Sequence, residues 1–332
     1  MQSFSIIICT YNPDFTIFNR LLQAFLDFES SSPVHEIIFV DNNSQPGLES
    51  NPIVNNFLLK KKNSVLVKEK EPGLTAARIA GINQSKYDWI VFFDDDNEPC
   101  KDYLIEAAKV IFEYPKVGAW GPGTVKVDYT DKEAPKWLDK YKSIFQQRND
   151  TFIKYDNNYW WQFCYPFGTG LIIKKVICEA YIAKVDNKQY LLSDRKGKSL
   201  SSGGDMQIVY TALAMNYHAG ISPGIKLNHL ISTSKSNTNY IARLLFGSAA
   251  CNLPAYYQCF PDQFQVPVYP TSKVIFQKFY FLLKVVMLRQ SFREAYFQLA
   301  KYLGELEGVV LLNPDIKKGK FLFLLERMLK IR

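Results

Sequence analysis

The chain has 332 residues, 47% of them hydrophobic, with a formal net charge of +8. That size and apolar content exclude a disordered chain and leave one elaborated domain or two around a large core. Residues 271–332 hold 12 Lys+Arg against 5 Asp+Glu, so +7 of the +8 lies in the tail, a surplus suited to an anionic partner such as nucleic acid or a membrane surface.

Strands and helices alternate through the first third. Ser5–Thr10 is an apolar run that predicts a buried strand, broken by Tyr11-Asn12-Pro13. Residues 14–27 carry helical apolar spacing at Phe15, Phe18, Leu22, Phe25 and Leu26. Glu36–Val40 predicts a second strand ending at Asp41-Asn42-Asn43-Ser44. Residues 52–61 predict a short helix, Val65–Val67 a third strand, Pro72-Gly73-Leu74 a turn and Thr75–Gln84 a helix. Strands alternating with helices mean βαβ units and a mainly parallel sheet.

The fourth strand carries the clearest chemical signal. Five apolar residues, Trp89–Phe93, run into Asp94-Asp95-Asp96. Carboxylates cannot follow a doubly buried strand into the core unpaired, so they belong at its carboxyl end. That rim is where open α/β sheets bind ligands. Asp94 and Asp96 are one residue apart, so on an extended backbone both face one ion, and hard oxygen ligands suit Mg2+ or Mn2+. The plainer reading is a solvated turn capping the helix expected over Lys101–Tyr114. No G-x-G-x-x-G follows the first strand and no G-x-x-x-x-G-K-[ST] is present, which argues against a dinucleotide site and a P-loop.

Beyond Gly118 the character changes. Gly121-Pro122-Gly123 predicts a break and Thr124–Val127 a short strand. Residues 128–165 are polar and aromatic, with Trp137, Trp160 and Trp161. Phe167–Gly170 predicts a turn into the strand Leu171–Ile173, then a helix over residues 174–183. A polar loop over residues 193–202 precedes Gly203-Gly204-Asp205, which opens a helix running to Met215. Capping alone explains an acid there. Ile225–Ile231 predicts a strand carrying His229, for which a satisfied core histidine is the plain alternative. From Asn239 the tail is mostly helical. Residues 274–288 and 321–331 mix apolar, aromatic and basic residues, which suits packing on the domain and equally an interfacial helix on anionic lipid.

Six cysteines, Cys9, Cys100, Cys164, Cys178, Cys251 and Cys259, form no C-x-x-C pair and no metal spacing, which reads as reduced thiols and a cytoplasmic protein. No signal peptide is expected, and no uncharged apolar run is long enough to span a bilayer.

Taken in order, C-T-Y-N (Cys9–Asn12), V-D-N-N-S (Val40–Ser44), P-G-L-T-A-A-R (Pro72–Arg78), F-D-D-D-N (Phe93–Asn97), G-T-G (Gly168–Gly170), S-S-G-G-D (residues 201–205) and N-H (Asn228, His229) resemble the family 2 glycosyltransferases. The likeness covers residues 4 to about 235. It implies an α/β fold of the GT-A type: a mainly parallel central sheet flanked by helices, with a C-terminal helical extension. Residues 1–120 would form the nucleotide-sugar half and residues 121–238 the acceptor and catalytic-base half. Residues 239–332 would be a helical region able to associate with membrane.

The resemblance also implies roles. Thr10, Tyr11 and Asn12 line the nucleotide pocket. Asp41 accepts from the base, with Asn42 beside it. Gly73 and Arg78 run near the nucleotide. Asp94 contacts the nucleoside or the ion's waters, and Asp95 belongs to the donor site. Asp96 binds Mn2+ or Mg2+, and His229 approaches the ion. Asp205 is the catalytic base. The activity implied is inverting transfer of one sugar, from a UDP-sugar or similar donor, to a carbohydrate or lipid-linked acceptor in surface polysaccharide or glycolipid synthesis. Nucleic acid is not an implied partner, and the basic tail would hold the protein on the cytoplasmic face of the membrane.

The sequence departs from the family pattern at two positions. Gly204 stands where an acid usually precedes the base, and Ile79 follows Arg78 where Asn is common. No downstream aromatic-arginine motif is evident, which favours a single addition. Two other readings stay open from sequence: a sugar nucleotidyltransferase, although Thr10-Tyr11-Asn12-Pro13 is no Gly-rich phosphate loop, and a carbohydrate-binding protein using the tryptophans as stacking platforms.

Overall fold

The fold is taken from a computed structural model that describes residues 2–28, 31–130, 134–192, 200, 203–263, 265–287, 291–313, 315–316 and 318–331. The loop expected over residues 193–202 lies outside the described residues apart from Leu200.

The first third alternates as its periodicity requires: β1 (Phe4–Thr10), α1 (Phe15–Leu26), β2 (His35–Asp41), α2 (Pro52–Lys60), β3 (Ser64–Lys68), α3 (Leu74–Gln84), β4 (Trp89–Asp94), β5 (Asn97–Pro99) and α4 (Tyr103–Glu113). Local chemistry sets the helix starts. The Asp14 side chain accepts from Thr16 N and Ile17 N, and Asn51 does the same for α2 ahead of Pro52. The second part follows with β6 (Val117–Tyr129), β7 (Arg148–Asn149), β8 (Lys154–Asp156), β9 (Leu171–Lys174), α5 (Lys175–Asp186), α6 (Gly204–Ala214) and β10 (His218–Ile231). The tail holds α7 (Thr238–Cys259), α8 (Ser272–Met287), α9 (Phe292–Leu312) and α10 (Lys320–Met328).

Among the described residues the strands join in one sheet ordered β3-β2-β1-β4-β9-β6-β10-β5, with β7 on β6 and β8 on β10. β1 to β4 pair in parallel, as do β6 and β10. β9 slots antiparallel between β4 and β6. The side-chain period of two divides the core into layers. Ile6, Ile8, Phe39, Val91 and Phe93 face α1, α2 and α4. Ile7, Ile38, Val40, Ile90 and Phe92 face α3, α5 and α6. Each such side chain, fully buried, stabilises the fold by roughly 1.5–3 kcal/mol.

Two strands run further than their sequence suggests. β6 passes straight through Gly121-Pro122-Gly123, where a break was expected. Those glycines serve close approach. A Cβ on Gly121 would fall 2.5 Å from the Pro166 side chain, and one on Gly123 would meet the Ser222 and Pro223 backbone at under 3 Å. Pro122 sits beside an irregularity, where the register with β10 shifts between Ser222 and Lys226. The residue-120 boundary expected from sequence falls inside β6, so the two halves share a strand.

The tail is fastened to the body through α7, whose Ala255 and Tyr256 join the core layer of α5 and α6. α9 lies against α7 with glycine at the contact: a Cβ on Gly304 would come within 2.3 Å of Phe246 O, and one on Gly308 within 3.0 Å of Ala250 O. Arg20 on α1 ties the halves together from the other side. Its guanidinium donates to Glu98 Oε1 and Oε2, both at 2.8 Å, and to Asp128 Oδ2 at 3.1 Å, while Asn228 Nδ2 donates to Glu98 Oε2 at 2.7 Å.

This cluster generates a stability prediction. Burial opposes ionisation of Glu98, but Arg20 and Asn228 outweigh it and hold the carboxyl below its usual range. Its stabilisation is therefore present above the ordinary glutamate pKa and is lost as pH falls through the lowered folded value. Glu98→Gln is expected to destabilise the protein by roughly 1–2 kcal/mol near neutral pH. Denaturant titrations at about pH 7 and about pH 3 should show that gap narrowing on acidification. A constant gap would refute the ionic role.

Candidate active site

Strand register assembles the rim. Thr10 stands opposite Asp41, and Cys9 opposite Asp94, so three strands end at one level. The chain then turns at Asp95-Asp96 before β5 begins. The three acids are not the cap of α4, since β5 intervenes. Nor does extended alternation bring Asp94 and Asp96 together, because the backbone turns there. They meet through the turn, and both line the same two cavities.

Their surroundings set the three apart. Thr10 Oγ1 donates to Asp95 Oδ2 at 2.5 Å. Burial and the adjacent Asp96 push the Asp95 carboxyl up to about 6. Asp96 goes the other way. Burial opposes its ionisation, but Lys235 and His229 outweigh that and hold it well below the usual carboxylate range. Lys235 Nζ donates to Asp96 Oδ2 at 2.5 Å, His229 Nε2 lies 3.4 Å from Oδ1, and Asn97 Nδ2 donates to Oδ1 at 3.0 Å.

His229 is 9% exposed and lines the smaller cavity. Its Nδ1 lies 2.9 Å from Phe145 O, an acceptor, so Nδ1 is the nitrogen assigned the hydrogen. Nε2 then faces Asp96 Oδ1 with only a lone pair. A proton on Nε2 turns this contact into a charge-assisted hydrogen bond, whereas the lone pair of the neutral ring is a donor atom for a metal ion. Burial disfavours the imidazolium, yet the Asp96 charge outweighs it and leaves the His229 pKa raised.

The larger cavity, about 610 Å³, is walled by Thr10, Tyr11, Asn12, Asn42, Gly73 and the three acids, among others. Asn12 adopts a positive φ of 48°; its Oδ1 accepts from Gln45 N and its own N–H donates to Ser44 Oγ. Asn42 staples the loop opposite. Its Nδ2 donates to Glu69 O and Glu71 O, and its Oδ1 accepts from Gly73 N at 2.8 Å. Asp41 is not among the lining residues. It is 3% exposed, and its two oxygens accept from Ser44 N at 2.9 Å and Leu48 N at 2.8 Å.

The smaller cavity, about 150 Å³, holds the later acid. Asp205 lies in the first turn of α6, with Oδ1 accepting from Met206 N at 2.9 Å and Oδ2 from Gly168 N at 3.0 Å. Gly168 also abuts Arg78, whose Nη2 would lie 3.1 Å from a Cβ placed there, the same distance as Asp205 Oδ2. Arg78 thus lines the Asp205 cavity rather than the larger one. The two cavities share Leu74, Asp94, Asp96, Lys235 and Tyr240, so the acid triplet and Asp205 look into connected space. Residues 201 and 202 of the expected motif lie outside the described residues.

Lys235 is the residue that sequence reading missed. It lies in a single 3-10 turn, Thr233–Lys235, six positions after His229. The one available signal was a lone cation in a Ser/Thr-rich link following the histidine strand. The three tryptophans line neither cavity. Trp160 stacks on Tyr256 with centroids 4.3 Å apart, Trp161 packs on Tyr165 and Tyr210, and Trp137 packs on Phe297 under Arg293.

Comparison with known proteins gives the family and the fold. A family model described as glycosyl transferase family 2 matches residues 5–181. A polypeptide N-acetylgalactosaminyltransferase 11 from Xenopus tropicalis is 32% identical over 115 residues, which is 34% of this chain and 19% of that protein. The match thus spans about a fifth of that relative's length. Among solved structures, the mannosyltransferase PcManGT from Pyrobaculum calidifontis, in complex with GDP-Man and Mn2+, is similar with a TM-score of 0.55 at 16% identity. That likeness covers 98% of this chain and 79% of that one, and it shows the GT-A fold. TarS 1-349 from S. aureus is similar over 99% of this chain and 88% of its own, with a TM-score of 0.46 at 16% identity.

The loop staple is testable without a ligand. Asn42→Ala leaves the Gly73 amide and two carbonyls without their side-chain partner. Hydrogen exchange at residues 69–73 should accelerate, with a stability loss of about 1–3 kcal/mol. Unchanged exchange in that segment would remove the assigned role.

Proposed function

The chain belongs to glycosyl transferase family 2, and on that footing we propose that it is an inverting, metal-dependent glycosyltransferase, moving one sugar from a nucleoside diphosphate sugar to a hydroxyl acceptor. The observation carrying this reading is the shared wall: Asp94 and Asp96 border both the large cleft and the cavity that holds Asp205.

The donor set fits a divalent ion. A carboxylate oxygen of Asp96 and the Nε2 lone pair of His229 converge, with the ring fixed through Nδ1 by the Phe145 carbonyl. Among the described residues no group of three or more acid, histidine or cysteine side chains could hold an ion alone. Mg2+ in particular is commonly held by one or two carboxylates plus substrate phosphates. When bound, Mn2+ or Mg2+ would neutralise charge growing on the departing diphosphate.

The chain's own residues do the rest. Thr10, Tyr11, Asn12, Asn42 and Gly73 wall the nucleoside. Asp41 shapes that wall from behind by holding the turn that contains Ser44. Asp94 and Asp95 border the diphosphate, with a UDP-sugar the expected donor. Asp205 takes the proton of the acceptor hydroxyl as its oxygen bonds to the anomeric carbon and the bond to the diphosphate oxygen breaks. Attack on the face opposite the leaving group inverts that centre. Two backbone N–H groups orient the Asp205 carboxylate, and Arg78 flanks it.

Among the described residues no helix is long and apolar enough to cross a membrane. A surface association on the cytoplasmic leaflet is the proposed alternative. α8 and α10 meet through stacked Phe276 and Phe321, and they expose Tyr280, Phe281, Leu324 and Met328 alongside Lys273, Lys284 and Lys320. Aromatic and aliphatic residues mixed with lysine suit an anionic lipid surface near a lipid-linked acceptor.

Two measurements test these assignments. Asp205→Asn is expected to lower transfer by about 10²–10⁴-fold while donor binding with Mn2+ survives; near-normal turnover would remove Asp205 as base. Phe281→Ser combined with Leu324→Ser should sharply reduce sedimentation with phosphatidylserine vesicles. Equal pelleting of both proteins would reject the membrane surface.

A further inference from the structure

Lys235 is the cation that holds Asp96. Its ammonium lies 2.5 Å from Oδ2, its side chain is 25% exposed, and it borders both cavities. Its backbone is fixed: Lys235 N–H donates to Ser232 O at 2.9 Å, and Ser236 Oγ donates to the same carbonyl. The movable part is the four-carbon stem, whose ammonium meets Asp96 where the two cavities join.

Charge and geometry then constrain what happens when a donor arrives. Three carboxylates already border the space a diphosphate would enter. A divalent ion on Asp96 and the Lys235 ammonium draw on the same carboxylate. Both cannot hold it at full strength. An ammonium released from Asp96 next to a diphosphate has an anionic partner within the same cleft. The lysine keeps its proton throughout; only its partner changes.

We propose that Lys235 is an exchanging counter-ion: it pairs with Asp96 before donor binding and passes to the donor diphosphate when a divalent ion takes Asp96, so that ion and donor bind as a pair. This rests on the glycosyltransferase reading above. It makes Lys235 a source of coupling between two ligands, reciprocal by linkage. The ion alone binds weakly because it must displace the lysine. The diphosphate alone binds weakly because the lysine is engaged elsewhere.

Two probes separate this from a merely structural ion pair: Mn2+ alone, followed by the electron paramagnetic resonance of free Mn2+, and inorganic pyrophosphate in EDTA, followed by calorimetry. Lys235→Gln is expected to tighten Mn2+ alone by about tenfold and to weaken pyrophosphate by a similar factor. Lys235→Arg keeps the charge and should behave as wild type in both. Unchanged or weakened Mn2+ binding in Lys235→Gln, in a background where wild type binds Mn2+ with pyrophosphate, overturns the exchange alone. A wild type that binds no Mn2+ even with pyrophosphate overturns the metal-dependent reading and the exchange with it.

Discussion

Asp94, Asp95 and Asp96 put three carboxylates at the end of a strand that is buried on both faces. Like charges so close cannot all ionise without help. The surrounding structure divides them. Asp96 receives Lys235, His229 and Asn97, and stays charged. Burial and the neighbouring Asp96 charge drive Asp95 up to about 6, against the opposing pull of Lys235 and the Thr10 hydroxyl. Neighbouring acids pushed in opposite directions are a common sign of a site built for chemistry. The two cations that hold Asp96 come from distant parts of the chain: His229 from β10 and Lys235 from the link into α7.

Those distant parts are held in place by the long strands β6 and β10 and by the Arg20 cluster. β5 pairs with β10 at Asn97 opposite His229, which fixes the histidine relative to the acids. One position along, Glu98 meets Asn228 and Arg20. The ion-pair cluster therefore joins α1, β5, β6 and β10.

Much of this was legible in the sequence. β1, β2 and β4 are buried on both faces, so each reads as a continuous apolar run, and the acids had to surface where β4 ends. His229 and Asp205, which the ordered motifs picked out, both line the cavity that Asp94 and Asp96 border. Other features were hidden for physical reasons. Glycine and proline usually punctuate, yet in β6 and β10 they permit close backbone approach, so both strands read short. Asp41 announced itself as a rim acid, but its oxygens are engaged by the turn that follows. Arg78 lies on the Asp205 side because α3 turns it beneath Gly168. Lys235 belongs to no local pattern; only the fold brings it to Asp96.

One helix has two duties. Tyr240, Leu244, Ser248 and Asn252 recur every four residues along α7, and all four face the cavity of Asp205. Its adjoining side is clasped by α9 through Gly304 and Gly308, backbone against backbone. The side chains nearest these contacts are the small ones of Ala249 and Pro254, so α7 and α9 pack closely there. Whatever seats or unseats the aromatic end of the chain therefore bears on one wall of the cavity that holds Asp205.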